Sequence, residues 1–319
     1  MPLPTVALGQ SDLRISRVGL GTAPIGSSPE WRINWGPQDE GDAIRAIHAA
    51  IALGVNWIDT APYYGWGRAE EIVGKAVHDR RDCVYLFTKC GTVRDEQNRE
   101  REDLTPASIR RDVEESLRRL RTDYVDLLQF HDPDPHTPIE ESWATMQALV
   151  REGKVRFGGL SNHAIELVQR ALVVGPVVSH QHQYNLLHRD IERDILPFSR
   201  ERQIGVLAWS PLASGFLVES FDLASLTPDD FRLGQAYAQE PGRTRLQELR
   251  AALAPVAHRR SRRLEDLAIA WILGQPGLTG AIIAARNQRE AERMAGGADG
   301  VLTGEESTAI EEALANWER

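Results

Sequence analysis

Two cysteines, Cys83 and Cys90, are all that a chain of 319 residues contains. So few exclude a disulfide framework and point to a reducing compartment, and neither stands at a metal-ligand spacing. No window holds eighteen consecutive apolar residues, so no helical membrane span is expected. The stretch from Met1 to Gln10 lacks the apolar run of a secretory signal. A cytoplasmic protein is therefore expected. Positive charge is short as well: 37 Lys plus Arg against 46 Asp plus Glu leave a net charge of −9. No basic patch with interleaved aromatics stands out, which argues against a nucleic-acid partner. Arg118, Arg119 and Arg121 end a helical pattern, where cations suit the helix dipole.

What is present is a core. Hydrophobic residues make up 42% of the chain, enough to bury a full interior and to make disorder an unsuitable description. The length is normal for a closed α/β barrel. Short apolar runs alternate with amphipathic stretches along most of it. Strands are predicted at Val18 to Gly21, Trp57 to Ala61, Val84 to Lys89, Val125 to His131, Val155 to Ser161, Val177 to Gln183, Gly205 to Ser210 and Ala281 to Ala284. Helices are predicted between them, one of them opened by Thr105 as N-cap with Pro106 in the first turn and another ended by Gly153. Val6 to Leu8 and Arg14 to Ser16 read as a hairpin before the barrel, and Gly304 to Trp317 as an extra C-terminal helix. Eight buried strands, each followed by a helix, favour a closed (β/α)8 TIM barrel over an open sheet. One domain is expected over residues 1–319, with the barrel core at 17–303 and the last helix at 304–319.

Active sites of such barrels lie at the strand C-termini. Strand two ends in Asp59 and leads into Thr60-Ala61-Pro62-Tyr63-Tyr64-Gly65. Strand three ends in Thr88-Lys89, strand four in His131, strand five in Ser161-Asn162, strand six in Gln183 and strand seven in Trp209-Ser210. An acid, a phenol, an amine and an imidazole are thereby expected at one mouth. A buried Lys89 needs a counter-charge, which Asp59 can supply. An ammonium beside a phenol favours phenolate and is expected to lower the Tyr64 pKa toward a useful range. Tyr64 could then protonate a carbonyl oxygen as hydride arrives, with His131 orienting the carbonyl. No nucleophile elbow and no plausible Cys-His pair point to covalent catalysis. Singly, each residue has a plainer use: Asp59 and Thr60 as a cap, Lys89 as a strand-end charge, His131 as a core histidine. Four at the ends of three consecutive strands make that reading much weaker.

Two other signals are present. Gly19-Leu20-Gly21-Thr22-Ala23-Pro24 is a near miss to the dinucleotide fingerprint, with Pro24 where the third glycine belongs, and is better read as a strand ending at a cofactor. His180-Gln181-His182 and the cluster from His131 to His136 motivate an alternative, a metal-dependent barrel hydrolase. Strand alternation weighs against it: if Gln183 faces the mouth, His180 and His182 face the helices. No metal is expected.

The segments Asp59 to Gly65, Phe87-Thr88-Lys89, Asp126 to His131, Gly159 to Asn162, Gln183 to Leu186 and Trp209 to Leu212 together resemble the aldo-keto reductase superfamily, and the likeness covers essentially the whole chain. It is closest in character to bacterial general-stress and inositol-linked reductases. The resemblance implies an NAD(P)(H)-dependent oxidoreductase that interconverts aldehydes or ketones and alcohols, with the catalytic tetrad on Asp59, Tyr64, Lys89 and His131. It implies that Ser161, Asn162 and Gln183 hold the nicotinamide carboxamide, that Trp209 stacks on the ring, and that Ser210, Pro211, Leu212, Ser214 and Gly215 follow the pyrophosphate, with Gly21, Thr22 and Ala23 nearby. NADP(H) is the expected cofactor and NAD(H) the other possibility. At the adenosine end Ala284 stands where Lys is usual, Glu290 where Arg or Gln is common, and Arg293-Met294 in place of Glu-Asn. Ala285, Arg286 and Arg289 remain for a 2′-phosphate, or Glu290 for ribose hydroxyls. The resemblance also implies a monomer or weak homo-oligomer, and leaves open a non-enzymatic, cofactor-sensing role of the kind some relatives have as channel subunits. The sequence ends just after its last helix and is expected to lack the long C-terminal tail of steroid- and aldose-type members. The pocket would then need other walls. Thr22 to Gln38 is long for a βα connection, usually about two to six residues; Trp31 and Trp35 on it, with Trp66 on the next loop, either pack the loop onto the barrel rim or form an apolar lid for a ring-bearing or extended carbonyl compound. Asp132 and His136 would add polar contacts from the other side.

Overall fold

The computed structural model describes residues 3–95, 97 and 99–317. Among these, eight parallel strands close into a barrel: β3 (Val18–Gly21), β4 (Trp57–Asp59), β5 (Tyr85–Cys90), β8 (Val125–Phe130), β9 (Val155–Ser161), β10 (Ser179–Gln183), β11 (Gly205–Trp209) and β12 (Leu278–Ala284). The ring shuts where β12 pairs with β3, Ala281 opposite Val18 through Ala284 opposite Gly21. A hairpin of β1 (Thr5–Ala7) and β2 (Arg14–Ser16) precedes it, and a second one, β6 (Thr92–Arg94) with β7 (Glu100–Glu102), rises from the loop after β5. That second hairpin has no hydrophobic alternation (Thr-Val-Arg, Glu-Arg-Glu), so the period-two signal is missing from the sequence. The helices are α1 (Glu40–Ala52), α2 (Arg68–Val77), α3 (Pro106–Leu120), α4 (Ile139–Arg151), α5 (Ile165–Val174), α6 (Ile195–Glu201), α7 (Gly242–His258), α8 (Leu264–Leu273), α9 (Gln288–Ala291) and α10 (Gly304–Trp317).

Local chemistry explains the better-defined boundaries. Thr105 caps α3 by accepting from the Ser108 amide, Pro106 occupies the first turn, and Arg121 ends the helix at φ 55°. Asp39 caps α1 through the Asp42 amide. The arginine run at the end of α3 does more than complement a dipole: Arg119 donates to the fully buried Glu70 of α2 at 2.7 Å, and Thr88 of β5 donates to the same carboxylate at 2.6 Å.

Alternation along the strands sorts the barrel interior into two zones. Low in the barrel lie Trp57, Phe87, Leu127, Leu207 and Ile282, closed from beneath by Leu8, Leu13 and Ile15 of the hairpin segment. Gly19 is required here, since a Cβ would fall 2.1 Å from the Trp57 ring. Two residues further along, on the same face of each strand, the apolar set gives way to Asp59, Lys89, Gln129 and, past the strand end, His131. On these three faces the step from apolar to polar sets one end of the barrel apart from the other. Outside it, the large apolar cluster fills the space between strands and helices. No helix among the described residues is long and apolar enough to cross a membrane.

Candidate active site

Lys89 is the centre of the polar zone. It is 1% exposed and Asp59 2%, so neither charge can remain without a partner. The Lys89 Nζ donates to Asp59 Oδ1, to the Thr60 carbonyl at 3.2 Å and to the Tyr64 hydroxyl at 3.0 Å. Three donors thus meet three acceptors, which is the full capacity of an ammonium group. The second oxygen of Asp59 accepts from Gln181 Nε2 at 2.9 Å and, more distantly, from Gln129 Nε2 at 3.5 Å. Gln129 is in turn held by the Ser179 hydroxyl at 3.1 Å.

Tyr64 reaches this cluster because two loops touch backbone to backbone. Gly65 lies at φ +62°, and a Cβ there would sit 1.9 Å from the Gly26 carbonyl oxygen; one on Gly26 would sit 2.5 Å from the Tyr64 carbonyl oxygen. The tight contact brings the Tyr64 phenol to the end of β5. The His131 ring packs edge-on against Tyr64 at 5.8 Å and Tyr63 at 5.7 Å. Burial and the Lys89 charge push the His131 pKa well below its ordinary value, so the imidazole is neutral. Tyr64 behaves differently from the expectation of a lowered pKa. Burial raises it; Lys89 pulls it down, while the Asp59 carboxylate offsets part of that pull. The net direction is upward, and the resting group is a phenol.

The other expected residues fall around this centre. Thr22 donates from both its amide and its hydroxyl to the Asp59 carbonyl at 3.0 Å, beside Gly21, and Ala23 leads into a short 3-10 turn at Pro24–Gly26. Ser161 is buried and its hydroxyl has no hydrogen-bond partner. Asn162, at φ 58°, has both Nδ2 hydrogens in use and one acceptor site of Oδ1 open: Oδ1 accepts from the Trp209 indole at 3.0 Å, and Nδ2 donates to Asp132 at 2.9 Å and the His131 carbonyl at 3.2 Å. Gln183 is half-buried opposite Trp209. After Pro211 and Leu212 the chain turns through positive φ at Ala213, Ser214 and Gly215, with the Ser214 amide tied to the Ser210 hydroxyl at 3.0 Å.

At the end of β12, Ala285 is buried and Arg286 turns inward. Its guanidinium donates to the carbonyls of Trp35 (2.8 Å), Gly36 and Pro37 and to Gln38 Oε1 (3.0 Å). Glu290 accepts from the Arg286 amide and from Asn287 Nδ2, both at 2.8 Å. Arg289 is exposed and no partner is recorded for it among the described residues.

The three tryptophans are packed, not exposed. Trp31 is 1% exposed and meets Tyr63 and Tyr64 at 5.4 and 5.9 Å. Trp66 sits edge-on to Tyr63 at 5.2 Å and under the Arg94 guanidinium at 3.9 Å. Trp35 turns the other way, to Phe231 at 4.7 Å and Arg232 at 5.0 Å. Trp31 and Trp66 therefore join the Tyr64 side of the mouth, while Trp35 joins the segment after β11. His136 is exposed, away from the cluster that holds Asp132.

His180 and His182 face the helix layer, as alternation predicts. His180 Nε2 lies 2.9 Å from the His163 carbonyl and 2.6 Å from His182 Nε2. Burial holds His182 and His163 at about 4. Among the described residues no group of three or more His, Cys, Asp or Glu is placed to hold a metal ion, and the hydrolase alternative has no support. Gln181 and Gln129 were the residues not foreseen as part of the site. The signal was available: Gln181 lies two before Gln183, and Gln129 two before His131, on the same inward faces.

Comparison with known proteins agrees with this geometry. The family model described as the aldo/keto reductase family matches residues 17–315. The NADH-specific methylglyoxal reductase of Escherichia coli (strain K12) is 34% identical over 286 residues, covering 86% of each chain. The solved glycerol dehydrogenase AKR11B4 from Gluconobacter oxydans superposes with a TM-score of 0.87 at 36% identity, over 99% of this chain and 96% of that one. An aldo/keto reductase from Klebsiella pneumoniae, solved in complex with NADP and acetate, gives a TM-score of 0.74 at 30% identity over 97% and 95%. The chain belongs to the aldo-keto reductase family and is an NAD(P)(H)-dependent oxidoreductase on a (β/α)8 barrel.

Proposed function

We propose that Tyr64 is the general acid of carbonyl reduction and the general base of the reverse reaction, with Lys89, Asp59 and His131 in supporting roles. The observation that carries this is the single buried ammonium bound at once to Asp59 and to the Tyr64 hydroxyl. The residues fit a nicotinamide cofactor, because the buried Ser161 hydroxyl lacks a partner and the Trp209 ring borders it through Asn162. Ser161, Asn162, Gln183 and Trp209 would hold the nicotinamide end. Gly21 to Ala23 and Ser210 to Gly215 would line the path of the diphosphate. When bound, the reduced nicotinamide supplies the hydride.

Each protein group then has one task. The Tyr64 phenol, kept protonated by burial, gives its proton to the carbonyl oxygen. The phenolate left behind is stabilised by Lys89, whose charge is fixed 3.0 Å away and needs no reorganisation. Neutral His131 offers a hydrogen bond to the same oxygen without competing as an acid. Asp59 keeps Lys89 charged while it is out of water. At the adenosine end Arg286 is occupied with loop 35–38, so Arg289 is the cation left for a 2′-phosphate and Glu290 the acceptor for a free ribose hydroxyl; the chain accepts both NADPH and NADH. Among the described residues, large exposed apolar side chains are limited to Val173, Val174 and Val301, which supports a monomer or weak homo-oligomer. The unpaired cysteines support a cytoplasmic setting.

Tyr64→Phe tests the assignment. Turnover of a carbonyl panel should fall by at least about 10²–10⁴-fold, with cofactor affinity by fluorescence quenching unchanged. Carbonyl reduction at a near-native rate in that variant removes Tyr64 from the role.

A further inference from the structure

The wall of the pocket beside His131 has a fixed sign of charge. Asp132 follows His131 directly, and its Oδ1 accepts from Asn162 Nδ2 at 2.9 Å. Asn162 cannot swing, because its other bonds run to the Trp209 indole and the His131 carbonyl. Asn162 thereby links the carboxylate to the ring expected to border the nicotinamide, and the carboxylate directly follows the residue whose imidazole packs on Tyr64. Its second oxygen has no recorded partner, and no cation pairs with it among the described residues.

The cations nearby compensate only in part. Burial raises the Asp132 pKa, and the Asn162 hydrogen bond and the Lys89 charge pull it back, but Lys89 is shared with Asp59 and Tyr64. Arg32, on the loop after β3, is bound to Glu100 at 3.0 Å and to the Tyr63 hydroxyl at 3.2 Å. Arg94 covers the Trp66 face and donates to the Glu30 carbonyl at 3.0 Å. His131 is neutral. A second carboxylate, Glu102 of β7, has only the Thr92 hydroxyl as partner, and Asp132, Asp134 and Glu100 together with burial hold it at about 7. The aromatic rings that might have received a flat substrate are turned against one another instead. What the pocket offers a substrate, beyond Tyr64 and His131, is a hydrogen-bond acceptor with negative charge.

We propose that Asp132 makes this site select neutral, hydroxyl-bearing carbonyl compounds, such as short hydroxyaldehydes and hydroxyketones, over carbonyl compounds that carry a carboxylate or phosphate. The inference rests on the carbonyl-reductase reading above. A substrate hydroxyl next to the reacting carbon donates to the open oxygen of Asp132. An anionic group placed there meets a like charge that no ion pair neutralises, in a half-buried setting where screening is weak.

Three substrates of similar size separate the alternatives: glyceraldehyde, butyraldehyde and succinic semialdehyde, each with saturating reduced cofactor. The kcat/KM order should be glyceraldehyde, butyraldehyde, succinic semialdehyde, with about tenfold or more between first and last, of the size a single like-charge contact produces. Asp132→Asn keeps the oxygen that Asn162 needs and removes the charge. Relative to butyraldehyde, it should raise kcat/KM for succinic semialdehyde about tenfold and lower it for glyceraldehyde. Equal use of glyceraldehyde and succinic semialdehyde by the unaltered protein overturns the proposal, whatever the variant does. So does a variant that lowers all three alike, since Asp132 would then only support Asn162. If none of the three is turned over with either cofactor, the reductase reading itself fails and this inference falls with it.

Discussion

Replacing Lys89 by Met isolates the most consequential contact in the molecule. The side chains of Lys89 and Asp59 are 1% and 3% exposed. Removing the ammonium leaves the Asp59 carboxylate in that setting with only Gln181 and Gln129 as donors. Breaking one half of a buried pair costs about 3–5 kcal/mol. Unfolding entropy near the midpoint is about 2.1 cal/mol/K per residue. For 319 residues that converts the loss to a fall in Tm of about 4–7 °C. The double variant Asp59→Asn, Lys89→Met should recover most of it, because an Asn oxygen still accepts from Gln181 and no charge is buried. Thermal denaturation followed by circular dichroism on the three proteins decides the matter, alongside the pH profile of alcohol oxidation. That profile should move to higher pH without the ammonium. A Lys89→Met protein with native Tm at pH 7, or a double variant less stable than Lys89→Met, would refute the reasoning.

Glu102→Gln probes a different window. The Glu102 carboxyl is held at about 7, so the folded protein binds more protons than the unfolded one between pH 4.5 and 7, and stability is lost as pH rises through that range. The Gln variant keeps the Thr92 contact and cannot ionise; its Tm relative to the unaltered protein should climb between pH 5 and pH 8, and a difference that is flat with pH would rule this out. Arg286→Ala should weaken NADPH and NADH by similar factors, because the guanidinium organises the Trp35–Gln38 loop. A selective loss of NADPH affinity in a titration would return Arg286 to the 2′-phosphate.

The barrel and its reactive centre were legible because both follow from short-range rules. Strand periodicity placed Asp59, Lys89 and His131 on inward faces at one end, and the order of segments gave the family. What could not be read depends on partners far away in the chain. Nothing near Arg286 reveals that its donors point at residues some 250 positions earlier. The sequence left the tryptophans between packing the loop on the rim and forming a lid, because it does not show Tyr63, Phe231 or Arg94 arriving beside them. The Tyr64 pKa was expected to fall because only Lys89 was weighed; burial of the phenol and the nearby Asp59 charge reverse the net direction. Gln181 and Gln129 were within reach of the alternation rule, but their amides gain meaning only when Asp59 is seen across the barrel.

Closure of the barrel between β12 and β3 has a consequence for synthesis. The first strand of the ring emerges from the ribosome long before the last, and Ile282 of β12 also belongs to the small core that Leu8, Leu13 and Ile15 seal. Until residues 278–284 are made, β3 and β11 both present open edges, the condition that invites pairing with other chains. Until then the nascent protein can complete neither its ring nor its floor. Slowing translation between residues 209 and 278 exposes these edges for longer and raises the demand on chaperones at that stage.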